Sequence, residues 1–250
     1  MLFRFGPTEI AVTLPDRDAL LAAVGARLAE GRGFALATIN LDHLVKLGRD
    51  ASFRAAYAAQ DMVVADGNPI VWLSRLARRP VSLVPGSDLV LPLIEVAARA
   101  GRPVAILGTT DAALAAASAR IAADVPGVTF GPLISPPLGF DPEGASAQAM
   151  LARIAALGPC LCLIALGAPK QERLAALGRR LAPQAGFASV GAGIDFLAGH
   201  QTRAPAWVRH LALEWLWRAL SSPRRLIPRY AACAAILPGQ VIRALRLRAT

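Results

Sequence analysis

The chain has 250 residues, of which 55% are hydrophobic, three cysteines and a formal net charge of +10. That length supports one sizeable core with room for an appendage, and three cysteines exclude a disulfide framework. The most apolar of the long uncharged runs, Ile154–Pro169, is interrupted by Gly158, Pro159 and Gly167 and stops short of the ~20 residues that cross a bilayer. The first residues, Met1 to Thr13, mix Arg4, Gly6, Pro7 and Glu9 with apolar side chains and so lack a signal-peptide core. Short stretches near Phe3 and over Ile10–Leu14 predict a hairpin. A helix follows over Asp16–Glu30, then a strand over Phe34–Ile39, a helix over Asp50–Ala59 and a strand over Met62–Ala65. Helices over Pro69–Ala77 and Asp88–Ala100 lead to a strand at Val104–Leu107, a helix at Asp111–Ala123 and a strand at Val128–Phe130. The Pro/Gly-rich stretch Gly131–Pro142 has no periodicity and reads as a loop beside the sheet. A helix over Glu143–Leu157, a strand over Cys160–Ala165, a helix over Gln171–Leu181 and a strand over Ala188–Val190 complete the series. This alternation predicts an α/β fold: a Rossmann-like, mostly parallel sheet flanked by helices. Cys160 and Cys162 share one strand face and read as core packing in a reducing, cytoplasmic setting.

After Gly199 the character changes, so residues 1–199 read as the Rossmann-like core and 200–250 as a basic, amphipathic helical appendage. From Gln201 to Thr250 there are nine arginines and one acid, Glu214, which places +8 of the net +10 in the last fifth of the chain. Such a charge calls for an acidic partner: anionic lipid, a pyrophosphate or nucleic acid. Ala206–Leu220 has the spacing of an amphipathic helix. Ser222 followed by Pro223 starts a second helix that carries Arg225 and Arg229 one turn apart and is distorted at Pro228. Trp207, Trp215 and Trp217 fit either membrane-interface anchors or side chains buried on the main domain. Self-association into a homo-oligomer is another way to cover an exposed apolar patch, but no residue pattern fixes a symmetry.

In an open parallel sheet, ligands bind beyond the carboxyl ends of the strands. The residues there are Thr38 and Asn40; Asp66, Gly67 and Asn68; Gly108 and Thr109; Gly167, Lys170 and Gln171; and Gly191, Gly193 and Asp195. Gly108-Thr109-Thr110 would open a helix toward a phosphate. It is neither GxGxxG nor GxxxxGKS, which argues against a dehydrogenase and an ATPase. Asp66 follows four apolar residues at a strand end, and two readings stand: a partly desolvated general base, or an N-cap for the helix near Pro69. Asp195, between Ile194 and Phe196, is placed to bond buried backbone. His43, His200 and His210 lack ligand spacing, and the lone D-x-D, Asp16-Arg17-Asp18, opens a helix, so no metal site is expected. Arginines would then neutralise a departing pyrophosphate.

Several ordered blocks resemble the WecG/TagA/CpsF family of bacterial glycosyltransferases over about Thr38 to Tyr230. They are Thr38-Ile-Asn40, Ala65-Asp-Gly67 with Val71-Trp72, Pro85-Gly-Ser-Asp-Leu89, Leu107-Gly108, Gly167-Ala-Pro-Lys-Gln-Glu172 and Val190-Gly-Ala-Gly-Ile-Asp-Phe196. Arg203-Ala-Pro-Ala-Trp207, Leu213-Glu-Trp215, Arg218 and Pro223 to Tyr230 close the series. The resemblance implies an inverting, metal-independent transferase that needs no cofactor. It would move a hexose or N-acetylhexosamine-type sugar from a UDP-sugar to an undecaprenyl-pyrophosphate-linked sugar, at the inner face of the cell membrane. By matching position, Asp66 would be the base, Thr38, Asn40 and Gln171 would line the sugar and base pocket, and Arg218, Arg225 and Arg229, with Arg203 on the same tail, would close over the pyrophosphate. Asn68, Gly108, Gly191 and Asp195 would complete the substrate contacts. Departures include Ile39 where proline is common, Ala212-Leu213 in place of Gly-Leu, and Leu83 where an arginine often precedes the Pro-Gly-Ser-Asp block, so N-acetylmannosamine is not carried over as the donated sugar. Asn40-Leu41-Asp42-His43-Leu44 is similar to the exopolysaccharide-type members.

The competing class is a non-catalytic protein whose Arg-rich tail binds nucleic acid or membrane. Against nucleic acid, the basic residues alternate with a broad apolar face and no recognised nucleic-acid module occurs.

Overall fold

The structure is a computed structural model that describes residues 1–199, 217 and 223–248. A hairpin of β1 (Leu2–Phe5) and β2 (Thr8–Ala11) leads into α1 (Arg17–Ala29). The main sheet has six parallel strands: β3 (Phe34–Ile39), β4 (Met62–Ala65), β5 (Val104–Gly108), β6 (Phe130–Ile134), β7 (Leu161–Ala165) and β8 (Gly186–Ser189). Their spatial order is β4-β3-β8-β7-β5-β6. Every residue of β3, β4, β5, β7 and β8 is buried, as expected where helices cover both faces of a parallel sheet.

Strand alternation divides the core. Phe34 and Leu36 face a layer made by α1, α5 (Val90–Arg99), α6 (Asp111–Asp124) and α9 (Gly193–Leu197). Ala35, Cys160, Cys162 and Phe187 face α7 (Ala145–Ala155) and α8 (Lys170–Leu181). Ala37, Ile39, Val63 and Ala65 face α2 (Leu41–Arg49), α3 (Ala51–Ala58) and α4 (Asn68–Leu76), with the hairpin's Phe3 and Ile10 in the same cluster. On α1 the buried residues Leu20, Val24 and Leu28 recur every fourth position and form one apolar stripe. Each such fully buried side chain contributes about 1.5–3 kcal/mol. Asp16, Asn40, Asp50 and Thr110 start α1, α2, α3 and α6 by accepting from the backbone N–H three residues on. A cap of this type is worth about 1 kcal/mol. The cysteines are core residues, and burial pushes the Cys160 thiol up to about 11 and Cys162 higher still.

Two expectations need correction. The strand expected at Val128–Phe130 lies at Phe130–Ile134, inside the stretch read as loop. It is an edge strand, and a register shift sets Val104 opposite Phe130 but Ile106 opposite Leu133, so the bulge takes up Gly131 and Pro132. Helices α2 and α9 were not anticipated. The last helix, α10 (Pro223–Arg246), holds Pro228, where a distortion was expected, and Pro238 inside it. Both prolines are on its exposed side, where water can satisfy the carbonyls that lose an N–H. α10 packs on α2 and α4 and buries Leu226, Cys233 and Ala244. Trp217 is 37% exposed, while Trp207, Trp215, His200, His210 and most of the helix expected at 206–220 lie outside the described residues. No helix among the described residues is long and apolar enough to cross a membrane.

Candidate active site

The carboxyl ends of β4, β3 and β8 lie side by side and bring Asp66, Asn40 and Gly191 to one rim. The backbone N–H of Asp66 continues the sheet by donating to Ile39 O at 2.8 Å. The cap reading of Asp66 is excluded by α4: its N-cap is Gly67, with φ 109°, and no side chain caps it. The half-buried Asp66 carboxylate instead receives the Thr38 hydroxyl across the strand ends, Oγ1 to Oδ2 3.4 Å. Gly86 brings the Pro85–Leu89 turn against this pair. A Cβ there would lie 3.4 Å from Thr38 Oγ1 and 3.5 Å from Val190 O. Asn40 is on the rim, but its Oδ1 accepts from His43 N–H as the cap of α2.

Beneath the rim is a chain of buried polar groups. Tyr57 donates its hydroxyl proton to Thr38 O at 2.8 Å, and His43 Nδ1 lies 2.8 Å from the same hydroxyl. The hydroxyl has one proton, so Nδ1–H is the donor to it and His43 is the Nδ1–H tautomer. Burial, then the nearby Lys46, holds His43 down to about 3, so it is neutral at any physiological pH. Burial likewise pushes the Tyr57 phenol well above its ordinary range, with the Glu172 charge adding to it. This fixes the carbonyl of the residue whose hydroxyl meets Asp66.

Gln171 is 4% exposed and is held at both ends. Its Oε1 accepts from Gly191 N–H at 3.1 Å and its Nε2 donates to Glu172 Oε1 at 2.8 Å. Glu172 is fully buried, and burial raises its carboxyl to about 7 despite the Gln171 hydrogen bond. Its other oxygen, Oε2, has no hydrogen-bond partner. On the outer side of α2, Asp42 gathers Lys46 Nζ at 2.8 Å and Arg229 Nε at 3.0 Å, tying α10 to the helix that begins at Asn40. Lys46 also donates to Ala168 O, in the loop before Gln171.

The far half of the rim is built differently. Gly108, with φ 134°, is required by the fold: a Cβ would fall 2.2 Å from Ala165 O on β7. The N–H of Thr109 is taken by the same Ala165 O, so that turn does not offer it to a phosphate. Thr109 has φ 52°, one of two non-glycine residues at positive φ among the described residues, a strained state that recurs at functional sites. Its hydroxyl bonds Asp195 Oδ1, and its carbonyl accepts from Ser135 Oγ at 2.8 Å. Asn68 is the first residue of α4 and half-buried.

The sequence profile of the glycosyl transferase WecG/TagA/CpsF family matches residues 7–250. The chain belongs to that family. It is therefore a glycosyltransferase, with a role in surface polysaccharide synthesis. Five of the blocks that carried the resemblance converge in space: Thr38, Asp66, Gly86, Gln171 and Gly191 all meet at the β4-β3-β8 end of the transferase. Of the tail arginines, Arg229 is placed against Asp42, while Arg203, Arg218 and the side chain of Arg225 lie outside the described residues. Among the described residues no three of His, Cys, Asp and Glu come together as metal donors. Sequence reasoning passed over Tyr57 and the burial of Glu172, and named Thr109 and Asp195 without pairing them. A buried acid directly after Gln171 was the one local signal for any of them.

Proposed function

We propose that this transferase moves a hexose or N-acetylhexosamine-type sugar from a UDP-sugar to an undecaprenyl-pyrophosphate-linked sugar, with inversion and without a metal. The observation that carries the reading is the Asp66 carboxylate at the β4 end, relieved of helix capping by Gly67 and set against the Thr38 hydroxyl. Asp66 takes the proton of the acceptor hydroxyl. That oxygen attacks the anomeric carbon from the face opposite UDP, and the bond to the pyrophosphate breaks with its electron pair leaving on UDP. Thr38, Asn40, Asn68, Gln171 and Gly191 line the donor side, and Gly108 and Asp195 border the far half. Gln171 serves with a fixed amide orientation, because Gly191 N–H and Glu172 already hold both of its ends.

Charge on the departing UDP is met by guanidinium groups, which bind phosphate oxygens in pairs. Arg203, Arg218, Arg225 and Arg229 are the proposed source. The same basic tail would hold the enzyme on the anionic inner face of the cell membrane, where the lipid-linked acceptor lies. Residues 200–250 thus act as an appendage to the 1–199 core. The test is UDP release with a panel of UDP-sugars and a synthetic polyprenyl-pyrophosphate sugar, comparing the native chain with Asp66→Asn. General-base loss of about 10²–10⁴-fold in kcat is expected, with an unchanged unfolding curve. Full activity in Asp66→Asn would remove the base and the reading with it.

A further inference from the structure

A second concavity lies away from the rim. The hairpin turn, the backs of α2 and α3, and the C-terminal half of α10 enclose a groove of about 840 Å³. It reaches α2 at Gly48, eight residues past Asn40 and so about 12 Å along the helix from the candidate site. Its floor is apolar, with Phe5, Ala55, Ala58 and Ile236. Its basic residues are Arg4, Arg49, Arg54 and Arg243, and among the described residues its lining contains no acid. Arg4 is paired with Glu9 at 2.7 Å, and Arg54 donates to Leu47 O at the end of α2. Arg49, on α2, and Arg243, on α10, are exposed and have no acidic partner among the described residues.

Two glycines keep the groove open. A Cβ at Gly48 or at Gly239 would meet no atom within 4 Å, and neither residue has a positive φ. Neither is there because the backbone demands it. Gly239 follows Pro238 inside α10, and two poor helix formers in succession cost a helix several kcal/mol in isolation. Space above the floor is what they provide. Beside Arg243 on α10, Ile242 and Leu245 are 52% and 42% exposed, so apolar side chains flank the basic rim.

We infer that this groove binds the headgroup of an anionic phospholipid of the bilayer, with the phosphate between Arg49 and Arg243 and the first part of an acyl chain along Phe5, Ala58 and Ile236. Two guanidinium groups lining one groove suit a phosphodiester, and the apolar floor suits what is attached to it. The exposed Ile242 and Leu245 enter the interface alongside. The inference refines the membrane half of the proposed function and is independent of which sugar is transferred.

The test is co-sedimentation of the full chain with vesicles of phosphatidylcholine alone and of phosphatidylcholine with phosphatidylglycerol. Arg49→Ala and Arg243→Ala should each weaken binding to the anionic vesicles about five-fold, the effect of about 1 kcal/mol per basic residue. Gly48→Leu keeps every charge and fills the groove; it should weaken binding at least as much, and Gly239→Leu should repeat the effect if the first variant unfolds. Water-soluble short-chain phosphatidylglycerol should compete. Vesicle binding by folded Gly48→Leu equal to that of the native chain would overturn the groove in favour of diffuse surface charge. Equal competition by inorganic phosphate would assign the groove to a free anion and overturn the lipid. Transfer to a water-soluble acceptor should be unchanged in Gly48→Leu, so failure of the lipid site and failure of the catalytic reading give different results.

Discussion

The two halves of the rim are built from different materials. At the β4-β3-β8 end, titratable groups are stacked under the surface: Asp66 above, then His43, Tyr57 and Glu172, the last three with protonation states set by burial. At the β5-β6 end the visible features are conformational: Gly108 pressed on Ala165, Thr109 held at φ 52°, and Ser135 and Asp195 bonded to Thr109. Proton chemistry needs a fixed charge environment, whereas holding a nucleotide needs a fixed shape. On the proposed reading the contrast puts the chemistry, with the donor-side residues beside it, in the first half, and leaves the second half to hold the donor. Its sharpest test is Asp66→Asn, where the loss of about 10²–10⁴-fold should fall on kcat, with donor KM little changed. A variant that lost only donor affinity would erase the distinction between the halves.

The buried groups under Asp66 make the next largest effect, on stability. Burial raises Glu172 to about 7 from an ordinary 4.5. Between those values the folded chain keeps a proton that the unfolded chain has released, so stability falls as pH rises and the loss is complete above about 7. Burial lowers His43 to about 3 from an ordinary 6.5. Between those values the unfolded chain binds a proton that the folded chain does not, so stability rises with pH and is fully present above 6.5. The two slopes oppose each other between 4.5 and 6.5. The native protein should therefore show a shallow pH dependence there. Glu172→Gln should show a steep rise and His43→Asn a fall, each amounting to a few kcal/mol across its window. Parallel urea-unfolding stabilities for all three proteins from pH 4 to 8 would mean that these groups are not buried as described.

On the far half, Asp195→Asn keeps the shape of the side chain and weakens a charge-assisted bond to Thr109. Donor KM should rise about ten-fold, corresponding to roughly 1.4 kcal/mol, with kcat changed less. Thr109→Val should behave in the same way, and the double variant should be no worse than either alone if the two act as one unit. Additive losses would separate them. A fall in kcat as large as that of Asp66→Asn would shift the chemistry toward β5.

The location of Asp66 was legible in the sequence because four apolar residues ending in an acid mark a strand end, and strand ends of parallel sheets point to one mouth. Whether that acid capped α4 was not legible, since the answer is the backbone conformation of Gly67. Gly108 shows the opposite failure: a glycine after a strand looks like ligand access, but its neighbour is Ala165, far along the chain. Helix α2 was missed because Asp42 and His43 look like surface residues, and only Lys46, Arg229 and Tyr57 make their burial tolerable. Strand β6 was hidden by Gly131 and Pro132, which an edge strand with a bulge accepts and an inner strand does not. Gln60, 112 residues before Glu172, donates to its backbone carbonyl, a contact that no local pattern carries.

The smallest effect separates two roles for Arg229. Its guanidinium meets Asp42, whose side chain is only 11% exposed, but the arginine itself is 41% exposed and Lys46 shares the same carboxylate. An ion pair so placed is worth about 0.2–1 kcal/mol, so Arg229→Gln should lower the unfolding free energy by no more than that, with Lys46 left to neutralise Asp42. A role confined to fastening α10 to α2 would leave transfer unchanged at a temperature where the variant is folded. A role at the pyrophosphate predicts a fall in activity well beyond the stability change, and Asp42→Asn, which releases the same arginine, should then alter UDP inhibition without removing it. If Arg229→Gln and Asp42→Asn lose equal stability and neither changes UDP inhibition, the arginine belongs to the helix contact alone, and charge neutralisation falls to the remaining tail arginines, Arg203, Arg218 and Arg225.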